Sequence, residues 1–260
     1  MRYHIDTIPL WDAVKLSGEC PLCAIKRKNE LIEIQRFLGA SVMEPDTRIQ
    51  VNGKGFCTHH ASMMFAEKNR LGIALLMHSH LVETEKKLKA ILQAAKKAAD
   101  DGADTPAISR FLGGKGTASM TSLTNAAKEL EEVSSSCILC ESLKANMARY
   151  TYTFLYLWKT DMEFRKTVAE SKGMCIPHAG QLLSMAGDTL SHRELPLFIE
   201  QLMDLMETNL KRIENDLEWF TLKFDYRNSD KPWNNSRDAV ERTINKIDGW
   251  CVGEEPYPEK

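Results

Sequence analysis

The chain has 260 residues, enough for one large domain or two modest ones, and 43% of them are hydrophobic and 27% charged. That balance can bury a core large enough to offset chain entropy, which excludes global disorder. Acidic and basic residues number 36 and 34, a formal net charge of -2, so no overall field gathers a polyanion and nucleic acid is not an expected partner. Met1 to Leu10 holds no apolar run, and no stretch approaches the ~18 to 20 apolar residues that span a bilayer. The expectation is a soluble, cytoplasmic chain with no membrane role.

In chain order, the first chemical feature is Cys20-Pro21-Leu22-Cys23. The residues after it, Ile25, Ile32, Phe37 and Leu38, fit a helix with one apolar face. Gly53 and Gly55 then supply permissive backbone before Cys57-Thr58-His59-His60, where residues three apart on a short helix share a face. A long helix follows, marked by Leu81, Leu88, Ile91, Leu92 and Ala95. The Lys86, Lys87, Lys89, Lys96 and Lys97 run reads as its solvated face.

Residues 98–136 are rich in Ala, Gly, Ser, Thr and Asp and read as a flexible linker. Gly113-Gly114-Lys115-Gly116-Thr117 within them lacks the residue order of a phosphate-binding loop.

The pattern then repeats. Cys137-Ile138-Leu139-Cys140 opens a helix with Leu143, Met147, Tyr150, Phe154 and Leu157 on one face. Gly173-Met174-Cys175 leads to His178, and Phe198, Leu202, Leu205, Leu210, Ile213, Leu217 and Phe220 mark a second long helix after Pro196. The C-x-x-C pairs are offset by 117 positions and the C-x-x-H pairs by 118, which is the mark of an internal duplication. Arg48 and Arg165 fall at equivalent positions, suited to pairing with nearby acids or to holding an anion.

Three thiolates and one imidazole fill the tetrahedral shell of zinc and leave no place for a reacting water, so such a centre is structural. The spacing assigns Cys20, Cys23, Cys57 and His60 to one centre and Cys137, Cys140, Cys175 and His178 to the other, one zinc ion in each and two per chain. An iron-sulfur cluster on the same donors is the chemical alternative, and a lone C-x-x-C also suits a redox dithiol. His59 has no counterpart in the second half and is read as a surface or supporting residue, and Cys251 as an ordinary thiol.

The expected architecture is all-α: two pseudo-symmetric helical repeats, each tied by its own three-cysteine, one-histidine metal site. The divisions are 1–97, the linker 98–136, 137–224, and a tail 225–260 with a short helix. There is no Ser-His-Asp arrangement, H-E-x-x-H run or dinucleotide fingerprint, so no catalytic residue and no enzyme activity is assigned. The functional expectation is a metal-stabilised scaffold that binds a protein or small-ligand partner, with a redox or metal sensor as the alternative.

The duplicated motifs, Cys20 to Cys23 with Gly55 to His60 and Cys137 to Cys140 with Gly173 to His178, resemble those of a prokaryotic family catalogued as a domain of unknown function. In that family C-x-L-C and G-F-C-x-x-H occur twice. The likeness runs on through Lys223-Phe224-Asp225-Tyr226-Arg227 and the segment from Asp238 to Gly249. It departs at Met174, where the family pattern has Phe, and it implies no activity.

Overall fold

A computed structural model describes residues 4–16, 18–103 and 115–256. Among them every regular element is helical, and no strand is present. The chain divides into two compact units, Met1–Glu30 with Leu143–Lys260, and Leu31–Ser142. These are not the sequence halves 1–97 and 137–224.

The helices are α1 (His4–Lys15), α2 (Pro21–Leu38), α3 (Pro45–Lys54), α4 (Thr58–Ala66), α5 (Arg70–Ala103), α6 (Lys115–Ser135), α7 (Ile138–Thr160), α8 (Met162–Ala169), α9 (Ile176–Thr189), α10 (Glu194–Leu222) and α11 (Ala239–Asp248). None is long and apolar enough to cross a membrane.

The unit built from the chain ends has a core of Leu10, Ile25, Phe154, Trp158, Phe164, Leu182 and Phe198 with their neighbours. Its aromatic rings meet edge to face, Phe154 with Phe164 at 5.3 Å and Trp158 with Phe198 at 5.0 Å between centroids, the arrangement that ring quadrupoles favour. The α7 stripe read from the sequence, Leu143, Met147, Tyr150, Phe154 and Leu157, is buried throughout. Residues Cys20, Cys23 and Cys175 belong to this core.

The inner unit has a separate core of Ile34, Phe37, Val51, Met64, Leu76 and Leu139, with Cys137 inside it and Cys57 packed against it. Leu81, Leu88 and Leu92, which marked a long helix in the sequence, lie on α5 and are exposed, and one expectation needs correcting. The segment read as a linker is in good part helix, since α5 continues to Ala103 and α6 packs along it; residues 104–114, including Gly113 and Gly114, lie outside the described region. Ile91, Ala95 and Ala98 on α5 and Ser122, Ala126, Leu130 and Val133 on α6 are half-buried. Small side chains let two helices approach without a strong apolar period, while Ala, Lys, Glu and Leu supply the helix propensity.

Candidate metal centres

All four motifs share one local construction. Cys57 and Cys175 are the N-cap residues of α4 and α9, with extended backbone (φ -68 and -74), and His60 and His178 sit three residues on, within the first turn. Cys20 directly precedes α2 and Cys137 directly precedes α7, with Cys23 and Cys140 again three residues on. The carbonyl of each leading cysteine accepts the first helical hydrogen bond: Ala24 to Cys20 at 3.3 Å, Ala61 to Cys57 at 2.9 Å, Glu141 to Cys137 at 3.3 Å and Ala179 to Cys175 at 2.9 Å. The cap residue and the third residue of a first turn point to the same side, and the partial positive charge of a helix N-terminus favours thiolate over thiol.

The glycines before C-x-x-H reverse the chain into this turn. Gly55 (φ +63) and Gly173 (φ +79) both adopt the left-handed region, which side chains with a Cβ avoid. At Gly55 a Cβ would also collide with the His80 imidazole, and at Gly173 it would lie 3.1 Å from Leu205 Cγ.

The eight ligand candidates come together in two groups of four, Cys20, Cys23, Cys175 and His178, and Cys57, His60, Cys137 and Cys140. The membership corrects the assignment by sequence half: each C-x-x-C meets the C-x-x-H of the other half. Helix lengths favour this pairing. From Cys23 the helix α2 carries the chain roughly 22 Å, and the ten-residue α3 is only roughly 15 Å long, so α3 alone does not bring Cys57 back to Cys20. The same holds after Cys140, where α7 has 23 residues and α8 has eight.

In centre 1, Nδ1 of His178 lies 3.4 Å from Cys20 Sγ, 3.4 Å from Cys23 Sγ and 3.1 Å from Cys175 Sγ, and Cys23 and Cys175 Sγ are 3.6 Å apart. In centre 2, Nδ1 of His60 lies 3.3, 3.3 and 3.4 Å from the sulfurs of Cys57, Cys137 and Cys140, and Cys57 and Cys140 Sγ are 3.7 Å apart. All four donor atoms of each centre lie within 4.8 Å of one another. Either group could hold a metal ion. Centre 1 is wholly buried, whereas in centre 2 Cys57 is half-buried and Cys140 exposed.

Without an ion the donors compete for protons. Burial pushes the Cys137 thiol up, but hydrogen bonds with the His60 ring and the Cys57 and Cys140 backbone outweigh it and bring it down to about 6. Burial and the neighbouring Cys137 and Cys57 push Cys140 up to about 12. In centre 1 burial opposes charge on His178, yet hydrogen bonds with Cys175 and Cys20 raise it to about 10, and Cys20 is held well below the usual thiol range despite its burial. Each centre thus contains an acidic thiol opposite an imidazole, an arrangement a cation can replace.

Other residues singled out in the sequence lie elsewhere. Cys251 is exposed and outside both centres. His59 is exposed and meets His60 edge to face at 5.1 Å. Arg48 donates to the Leu75 carbonyl at 3.1 Å, and Arg165 bonds Gln201 at 3.3 Å while stacking 4.2 Å from the Trp158 ring, so these contacts serve packing, and among the described residues neither pairs with an acid.

The chain belongs to a family of unknown function (DUF6062), whose profile matches residues 1–254. It is also similar to an uncharacterized 23.9 kDa protein in the xynA 3' region of Caldicellulosiruptor sp. (strain Rt8B.4), 30% identical over 92 residues, which are 35% of this chain and 42% of that protein. The match therefore spans less than half of the relative's length. No solved structure matches the chain significantly.

Proposed function

We propose that the protein is a zinc-stabilised helical scaffold with one structural ion in each centre. The supporting observation is the donor spacing. Zinc bonds of ~2.3 Å to sulfur and ~2.0 to 2.1 Å to nitrogen, set tetrahedrally, put sulfurs about 3.8 Å apart and sulfur about 3.5 Å from nitrogen. The sulfur pairs at 3.6 and 3.7 Å and the sulfur to nitrogen distances of 3.1 to 3.4 Å follow that pattern. An iron-sulfur cluster spreads its thiolates over several irons, which four donors within 4.8 Å do not suit.

With four protein donors the shell is closed, so the ion would join distant chain segments and perform no chemistry. A thiolate-rich site of this kind belongs in a reducing compartment, consistent with a cytoplasmic location, and the balanced charge argues against nucleic acid as the partner. A protein partner is supported by Phe224 and Tyr226, 75% and 85% exposed at the end of α10, because exposed aromatic anchors are the side chains that interfaces use most.

The test is metal analysis with an absorption spectrum on protein purified without oxygen. Two zinc ions per chain and no visible absorbance is the expected result. Iron with inorganic sulfide and a broad visible band would replace this reading with the sensor one, and paired disulfides without metal would end both.

A further inference from the structure

Centre 1 has partners beyond its four ligands, and they come from one stretch of chain. Lys246 of α11 is fully buried. Its ammonium donates to the backbone carbonyl of Glu19 at 3.0 Å and to that of Lys172, and lies 3.6 Å from the Glu19 carboxylate. Glu19 directly precedes Cys20, and Lys172 directly precedes Gly173-Met174-Cys175. One ammonium thereby ties together the two segments that present all four donors.

Just beyond α11, Gly249 takes the left-handed conformation (φ +86), and a Cβ there would lie 3.9 Å from Cys175 Sγ and 4.0 Å from Cys23 Sγ. Next, the Trp250 backbone N–H donates to Cys23 Sγ at 3.3 Å. The turn is fastened down. Arg27 stacks 5.0 Å from the Trp250 ring and grips the Glu255 carboxylate through two bonds of 2.8 and 2.7 Å, and Asn245 Oδ1 accepts from the Cys251 and Val252 amides. A cavity of about 690 Å³ lies against Cys20 and Cys23, and Trp250, Val252 and Glu254 form part of its wall.

Charge gives these contacts a purpose. Three thiolates, a neutral imidazole and a divalent ion sum to -1, and a buried charge needs a compensating partner. Water can reach centre 2 through the exposed Cys140. Beside centre 1, Lys246 and Arg212 both flank the Glu19 carboxylate, at 3.6 and 2.6 Å, so the cluster next to the ligand segments carries a net positive charge.

We propose that Ala239–Pro256 is a strap belonging to centre 1 that sets how firmly this centre holds its ion, with Lys246 and the Trp250 amide as positioning groups. The proposal rests on the single-ion reading of both centres. Partners of this kind orient ligands and stabilise their anionic form, and losing one weakens a metal site about 10 to 100-fold.

The experiment follows release of zinc to a chelator from the full chain, with Co(II) as a second probe of the sulfur-to-metal absorption band. His178→Ala and His60→Ala identify which release phase belongs to which centre. Lys246→Met should speed release from centre 1 by about 10 to 100-fold, leave centre 2 unchanged and shift the Co(II) band of centre 1. Lys246→Arg, which restores the charge, should recover part of the loss. Trp250→Pro, which removes the amide hydrogen, should weaken centre 1 more than Trp250→Ala, which keeps it. If Lys246→Met does not fold, the Trp250 pair decides the matter. Wild-type release from centre 1 in the folded variants would overturn the strap, whereas a wild type that binds no ions would overturn the reading beneath it.

Discussion

Removing the sulfur of Cys20 and removing that of Cys175 should subtract the same ion, because both belong to centre 1. Cys20→Ser with Cys175→Ser is expected to lose one equivalent of metal, and Cys20→Ser with Cys57→Ser to lose two. Metal analysis of the two double variants decides between crosswise pairing and pairing within each half, which predicts the reverse. Cys251→Ser should keep both ions. The proton held by Cys140 yields a second prediction. With Cys140 up at about 12 and Cys137 down at about 6 in the metal-free centre, a divalent ion must displace the Cys140 proton anywhere between those values. Loading therefore releases a proton, and affinity rises with pH through that window and falls on acidification. A competition titration against a zinc indicator at several pH values measures the slope; an affinity independent of pH between about 6 and 9 contradicts it.

At the scale of elements, the turn before each C-x-x-H depends on glycine. Gly55→Ala should lower stability by about 1 to 2 kcal/mol for the left-handed backbone alone, and more because His80 must move. Gly173→Ala carries the same backbone strain, with a milder contact to Leu205. Denaturant melts of the metal-loaded protein report both, and a Gly55→Ala midpoint equal to wild type would show that the turn relaxes. These glycines, the eight clustered cysteines and histidines and the α7 stripe were legible because each rests on local chemistry: a turn, a spacing of three, a helical period. The lengths of α2 and α7, which outreach their return helices, favour crosswise pairing, but a repeat suggests self-contained halves and hides that signal. The α5 and α6 pair was obscured for another reason. Helices whose half-buried positions include Ala95, Ala98, Ser122 and Ala126 leave most of their surface in water and show little apolar period. Lys246 resembled any basic residue of an amphipathic helix until its carbonyl partners were in place.

For the whole molecule, each compact unit has its own core and contains one complete centre. Structural zinc contributes apparent binding free energies of about 10 to 16 kcal/mol in small zinc domains, as large as the total stability of many domains. Losing one ion should therefore loosen one unit. Cys175→Ser is expected to raise amide exchange in α7, α9 and α10 from residue 143 onward while α5 and α6 keep their protection, and Cys57→Ser to do the opposite. Uniform deprotection of the chain by either change would show that the two cores unfold together.

Along the sequence the centres are nested like brackets: the segments at 57–60 and 137–140 both fall between 20–23 and 175–178. A ribosome therefore completes them in a fixed order. Centre 2 has all its donors once Cys140 has been made, while Cys23 waits 152 residues for Cys175, some 8 to 30 seconds at ~5 to 20 residues per second. On the metal-site reading proposed above, the first C-x-x-C is an open dithiol on a growing chain for that interval and has to stay reduced until its distant partner emerges.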